Sequence, residues 1–278
     1  MGTEYNLLKV AVASHIALDT IDNKDGYLGG AACYCGLTCR QLDFDTVLVT
    51  KVGEDFPVHM RNLLQKKGLD IKQFEKCYTT RFQLKQYGYT REVYLRAKCN
   101  PLTVNDVEHV DVDGWIVSPI IDEVPLQVFR EIIRKNKFIM LDPQGYIRKV
   151  EPSGLISKHR RITLDISGIS AIKVDEDELS AVSNVNPELL ILTTPRTISM
   201  NQYRIKLDHF DASDSTGLGD IMTAAFTCAY LRERDPKWSI CYGAGAIKAA
   251  LETNLIGINK IPTKSQIEKY ASDFFNSI

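Results

Sequence analysis

Residues 208–230 read D-H-F-D-A-S-D-S-T-G-L-G-D-I-M-T-A-A-F-T-C-A-Y, a polar, glycine-containing loop that runs straight into a long helical pattern. Gly217 and Gly219 let a backbone approach a ligand closely. Amides at a helix start lack intrahelical partners, and the helix dipole adds positive charge there, so the junction is a natural anion site. Asp214 and Asp220 flank it. A carboxylate beside an anion site repels a bound phosphate, so its presence needs a purpose. Serving as general base for a phosphoryl acceptor is such a purpose. Asp220 would take the proton of a hydroxyl while the amides of Gly217, Leu218 and Gly219 hold the charge on the transferring group. Asp and Ser are also common helix caps, and on chemistry alone that reading stands level with the catalytic one.

Outward from this segment the chain alternates two patterns. Short apolar runs at 7–13, 46–50, 114–118, 137–142, 169–174 and 189–193 have the Val/Ile/Leu content of buried parallel strands. Helix-period stretches lie between several of them, at 30–42, 56–67 and 125–136, the last opening at Pro125. Strands alternating with helices predict an α/β fold of three layers, with a mostly parallel central sheet covered on both faces. Residues 78–98 differ. They alternate apolar and polar side chains around Gly88, the pattern of a hairpin with one wet face. Such an antiparallel insert suits a small β-lid over a site, or an ordinary edge hairpin.

The 278 residues carry 34 basic and 35 acidic side chains, a net charge of -1, which excludes a general nucleic-acid or membrane-surface binder. No apolar run reaches the ~18 residues of a membrane span. The start, M-G-T-E-Y-N-L-L-K-V, lacks the layout of a signal peptide. Seven cysteines, an odd number, point to a reduced cytoplasmic chain. The cluster C-Y-C-G-L-T-C at 33–39 lacks zinc spacing and reads as buried thiols. The first strand is followed by A-S-H-I-A-L-D rather than a glycine-rich turn, which argues against a dinucleotide-binding oxidoreductase. A P-loop is absent as well.

D-S-T-G-L-G-D at 214–220 resembles the D-T-x-G-A-G-D signature of the ribokinase-like (PfkB) carbohydrate kinases, with Ser215 for Thr and Leu218 for Ala; the A-A-F at 224–226 fits as well. The resemblance implies a single ribokinase-like α/β domain over 1–278, with a lid drawn from about 14–30 and 78–98. It implies ATP and Mg²⁺ as cofactors, Asp220 as the base, and Ser215, Thr216, Gly217 and Gly219 at the donor phosphates. Asp19 stands where that family has a substrate-binding Asp, and Gly29-Gly30 resembles its double glycine. K-V-G-E-D at 51–55 is similar to its V-G-x-D turn. D-E-D-E at 175–178 falls on its N-x-x-E motif, with Asp175 for Asn and Glu178 for Glu, which implies a contact to magnesium. An acid-rich helix start reads equally as a response to the helix dipole. Two departures stand out. Tyr34 replaces an Asn that contacts the sugar, and T-T-P-R-T-I-S at 193–199 lacks the glycines of the nucleotide loop, leaving Thr193 and Thr194 as its polar contacts.

D-P-Q-G-Y-I-R at 142–148 ends a strand and opens a loop, so Gln144 would meet a polyol and Arg148 a phosphate, unless Asp142-Pro143 is simply a turn. The phrase is similar to one in inositol-kinase-like branches. The expected reaction moves the terminal phosphate of ATP to a hydroxyl of a small sugar or cyclic polyol such as myo-inositol, with Tyr27, Tyr34 and Arg81 as further pocket candidates. A nucleoside kinase and a non-catalytic sugar- or nucleotide-binding paralogue are the alternatives. Neither nucleic acid nor membrane is expected as a partner. A homodimer through the lid is expected if the 78–98 hairpin exposes an apolar face.

Overall fold

A computed structural model describes residues 7–22, 24–87, 90–157, 162–164, 167–183, 187–207 and 215–278. Asp214 and Gly88 lie outside the described residues. All six apolar runs form strands of one eight-stranded sheet. From one edge its order is Tyr203–Lys206, Thr197–Met200, Leu189–Thr193, Ala171–Asp175, Phe138–Leu141, Gly114–Val117, Lys9–Ala13 and Asp45–Val49. Strands from Leu189–Thr193 to Asp45–Val49 run parallel. The last two at the other edge are antiparallel.

The near-continuous apolar runs follow from burial on both faces, because successive side chains point to opposite sides. Val10, Val12, Ile116 and Met140 enter one core, with helices Ala31–Gln41, Leu218–Glu233, Pro236–Glu252 and Lys264–Ser277. Ala11, Ala13, Trp115, Val117, Ile139 and Leu141 enter the other, with helices Leu126–Arg134 and Glu176–Ala181. The expected three layers result. Cys33, Cys35, Cys39 and Cys228 are free and wholly buried, as the apolar or mixed setting of all four implied. No helix among the described residues is long and apolar enough to cross a membrane.

A second sheet of four strands has the order Lys24–Gly29, Ala17–Ile21, Thr80–Tyr87, Thr90–Ala97. Its inner face is apolar, with Phe82 and Leu84 buried and Val93 and Leu95 packed on the core. On the outer face Arg96 donates to Gln83, Tyr94 donates to Glu92, and Lys85 lies over the Tyr94 ring. The outer-face side chains among the described residues, Arg81, Gln83, Lys85, Glu92, Tyr94 and Arg96, are mostly polar or charged.

Residues 193–199, read as a nucleotide loop without its glycines, form a turn between two strands. Thr193 ends one strand and Thr197 begins the next. The Thr194 hydroxyl accepts from the amides of Arg196 and Thr197 at 3.2 and 2.9 Å, closing a tight turn. A Thr at a turn start offers the backbone this local bond, which is why no glycine is needed.

Candidate active site

The carboxyl ends of the central parallel strands carry Ser14, Ser118, Asp142 and Asp175, where open α/β sheets place their ligand crevice. Helix Leu218–Glu233 starts at this edge. Its N-cap is Gly217, with φ +77°, and no side chain among the described residues caps it. A side chain there would meet two obstacles: the left-handed backbone, and the Tyr34 ring 2.5 Å from the place of a Cβ. Tyr34, 1% exposed, thus floors the junction instead of reaching out as a sugar-binding Asn would. Of the three amides expected to hold charge, that of Leu218 donates to the Ser215 carbonyl at a long 3.4 Å.

Asp220 sits in the first turn of this helix and is 9% exposed. Its Oδ1 accepts from Ser118 Oγ at 3.3 Å and weakly from Gln144 Nε2 at 3.5 Å. Burial, and next the charge of Asp142, push its carboxyl up to about 7, while Lys173 and Arg148 pull the other way. A base poised near neutrality is what proton abstraction at ordinary pH requires.

Lys173 was legible only as a charge inside an apolar strand run. It is 8% exposed and donates to Asp142 Oδ2 at 2.6 Å. It shares a strand face with Ala171, on the side where helix Leu218–Glu233 packs. A Cβ on Gly219 would stand 3.1 Å from its Nζ, so the ammonium lies directly against the helix start. Asp142's attraction holds the Lys173 amine protonated despite burial. Arg148 is also enclosed. It donates to the Ile120 carbonyl at 2.6 Å and to Gln144 Oε1 at 2.9 Å, so burial lowers its pKa without freeing it from its partners. The loop carrying Ile120 is pinned by Glu123, wholly buried, which accepts from the amides of His15, Ile120 and Ile121 at 2.7–3.0 Å.

Between this edge and the second sheet lies a cavity of about 100 Å³. Its polar lining comes from Asp220, Thr216, Gln144, Arg148 and Asp19, its apolar lining from Phe82, Leu84, Val93 and Ile120, and Gly217, Gly30 and Tyr34 also border it. Asp19 is 5% exposed, and a Cβ on Gly29 would fall 1.9 Å from its Oδ2. Arg91, overlooked in the sequence, also lines the cavity and donates to Thr216 Oγ1 at 2.8 Å, tying the second sheet to the glycine junction.

Other expected residues lie elsewhere. Arg81 alternates with Phe82 and so points away from the cavity, where it pairs with Asp55. Tyr27 approaches Gly257. Ser215 is exposed and off the lining. Thr193 donates to the Val174 carbonyl, and Thr194 serves its turn. Asp175 and Glu178 close a capping box: Asp175 Oδ1 accepts from the Glu178 amide at 2.8 Å, and Glu178 Oε2 from the Asp175 amide at 2.9 Å. Among the described residues no group of three His, Cys, Asp or Glu side chains could hold a metal. One capping oxygen is used on each carboxylate, so the pair fits an ion reached through water and not an inner-sphere cage.

No family model matches the sequence, and no curated protein does either. Solved structures match over nearly the whole chain. A pyrophosphate-dependent kinase in the ribokinase family is 17% identical, with 95% of this chain and 100% of that one covered at a TM-score of 0.78. The Methanocaldococcus jannaschii nucleoside kinase is 17% identical over 95% and 98%, with a TM-score of 0.70. Ribokinase of Thermotoga maritima is 14% identical over 96% and 99%, also at 0.70. Coverage this complete, with the sheet order and helical layers described above, means that the chain has the ribokinase-like fold.

Proposed function

We propose that this chain is a kinase that transfers a phosphoryl group to a hydroxyl of a small sugar or cyclic polyol. The observation that carries the reading is Asp220: a buried carboxyl poised at about 7, in the first turn of a helix fronted by an uncapped glycine. The acceptor lies in the cavity, its polar edge towards Asp19, Gln144 and Arg148 and its apolar ring face against Phe82, Leu84 and Val93. A cyclitol such as myo-inositol has both faces. Asp220 removes the acceptor proton, the new oxygen–phosphorus bond forms as the bond to the leaving phosphate breaks, and the proton then passes to solvent. Helix-start amides and the Lys173 ammonium stabilise the charge on the transferring group. The second sheet excludes water from the reacting atoms. Asp175 and Glu178 would hold Mg²⁺, which would supply charge neutralisation on the donor when bound.

ATP is the first donor to test. Pyrophosphate is the second, because the tight turn at 194–197 has spent its own hydroxyl and amides, and because of the likeness to a pyrophosphate-dependent kinase. A coupled ADP-release assay with ATP and Mg²⁺ would cover myo-inositol, ribose, fructose, 2-keto-3-deoxygluconate, adenosine and cytidine, with a parallel series driven by pyrophosphate. One responsive acceptor, silent in Asp220→Asn, supports the proposal. Silence with both donors, in a protein that still binds them, favours the non-catalytic paralogue.

A further inference from the structure

The roots of the second sheet carry two cysteines that the kinase reading does not use. Cys77 precedes strand Thr80–Tyr87, and Cys99 follows strand Thr90–Ala97. Between them, residues 78–98 comprise the whole hairpin that walls the cavity. The two thiols touch, with Sγ atoms 2.6 Å apart. Each root is held independently of that contact. The Cys77 amide donates to the Glu75 carbonyl at 2.7 Å, and the Cys99 amide to Thr80 Oγ1 at 3.1 Å. The same Thr80 hydroxyl meets His15 Nδ1 at 2.9 Å, and His15 Nε2 meets the Asn100 carbonyl at 3.0 Å. The roots therefore converge at the point where the hairpin joins the main sheet. Cys77 alone among the seven cysteines is half-exposed, whereas Cys99 is 2% exposed.

We propose that Cys77 and Cys99 are a modification site, a dithiol that small-molecule disulfides convert into a covalent clip across the roots of the hairpin. Cys77 thiolate attacks the external disulfide, forming a mixed disulfide and releasing one thiolate. Cys99 then loses its proton and attacks Cys77 sulfur, forming the Cys77–Cys99 bond and expelling the second external thiol. The external disulfide is reduced by two electrons and the protein oxidised by two. The order follows from accessibility, and from the Cys99 thiol, which burial and its neighbour Cys77 push up to about 12. Disulfides need side chains that already converge, and the two Sγ atoms stand within about 0.6 Å of bonding distance. The clip does not depend on which acceptor or donor the cavity takes.

The test is incubation of the full chain with oxidised glutathione, alkylation under denaturing conditions, and intact mass with peptide mapping. The expected result for the unsubstituted chain is five alkyl groups instead of the seven of the reduced control, the remaining mass being about 2 Da lower, and a cross-linked peptide pair containing Cys77 and Cys99. Cys99→Ser should stop at the first step, with glutathione retained on Cys77, and Cys77→Ser should take up none. Tryptic cleavage within 78–98 should slow several-fold in the oxidised chain and recover with reductant. A cross-link between another pair, or an unsubstituted chain that stops at the glutathione adduct as Cys99→Ser does, overturns the proposal. Cleavage rates unchanged by the cross-link overturn its action as a clip. The mapping on the unsubstituted chain decides the matter even if a serine variant fails to fold.

Discussion

Two helices start at the same edge of the central sheet, each with acid in its first turn, and they treat that acid in opposite ways. Helix Glu176–Ala181 is closed by its own side chains, Asp175 and Glu178 each accepting the other's amide. Helix Leu218–Glu233 opens on Gly217, with no side-chain cap among the described residues, and its acid Asp220 accepts nothing from that turn. A cap satisfies orphan amides and contributes about 1 kcal/mol. An uncapped start leaves amides for a ligand, and a buried acid with a raised pKa beside it is the arrangement the proposed base requires. In the sequence, capping stood beside catalysis for Asp220 and beside a magnesium contact for Asp175 and Glu178. The partners of the carboxylates differ in the two places.

The sharpest way to break this comparison is Asp220→Asn. Turnover should fall by ~10²–10⁴, the usual worth of a general base, measured on the acceptor that the assay identifies. An undiminished rate would remove Asp220 from the chemistry. The acid limb of the pH–rate profile should fall near pH 7, since the base must be ionised to act. Stability should move the other way. The folded carboxyl binds its proton more tightly than the unfolded one, so its contribution is complete below pH ~4 and is lost as pH rises through about 7. Asp220→Asn should therefore be more stable than the parent chain at pH 8, by roughly 2–4 kcal/mol, with the gap closing near pH 4. Denaturant melts at the two pH values check the sign, and a variant less stable at pH 8 would show that the carboxylate is not under stress.

Lys173 belongs to both helix starts: its strand ends at Asp175, and its ammonium lies against Gly219. Lys173→Met leaves Asp142, which has no exposure, as an unpaired buried carboxylate. Breaking such a pair costs on the order of 3–5 kcal/mol, read as a fall in the denaturation midpoint. The variant should also move the acid limb of the rate profile to higher pH, because the Lys173 charge holds the Asp220 pKa down. A destabilised protein with an unmoved limb would reduce Lys173 to a structural counter-ion.

The fold was legible because both-face burial writes itself into local composition: all six parallel strands showed as apolar runs, and Asp220 stood in a segment with a recognisable spacing of glycines. What failed to show was every feature that depends on a distant partner. Asp142 is 31 residues from Lys173, Ser118 is 102 from Asp220, and Arg91 is 125 from Thr216. Arg81 misled for a simpler reason. Basic and placed on a predicted lid strand, it looked like a pocket residue, but period-2 alternation gives its neighbours Phe82 and Leu84 the inward face and leaves it for Asp55. The missing glycines at 194–197 were legible, but not the local bond that replaces them, the Thr194 hydroxyl accepting from the Arg196 and Thr197 amides.

The smallest effect is expected at Asp175, and it tests the capped side of the comparison. Asn caps a helix about as well as Asp, and Ala does not. If capping is the main work of this carboxylate, Asp175→Ala should lose about 1 kcal/mol of stability while Asp175→Asn stays within ~0.5 kcal/mol of the parent chain. Titration of the rate with Mg²⁺ separates the remaining role. An ion reached through water depends on the carboxylate's charge, so Asp175→Asn should need a several-fold higher Mg²⁺ concentration for half-maximal rate, with its stability intact. An unchanged Mg²⁺ requirement in the Asn variant would make Asp175 a cap alone and leave Glu178, buried beside Lys173, as the acid through which this helix start meets the donor.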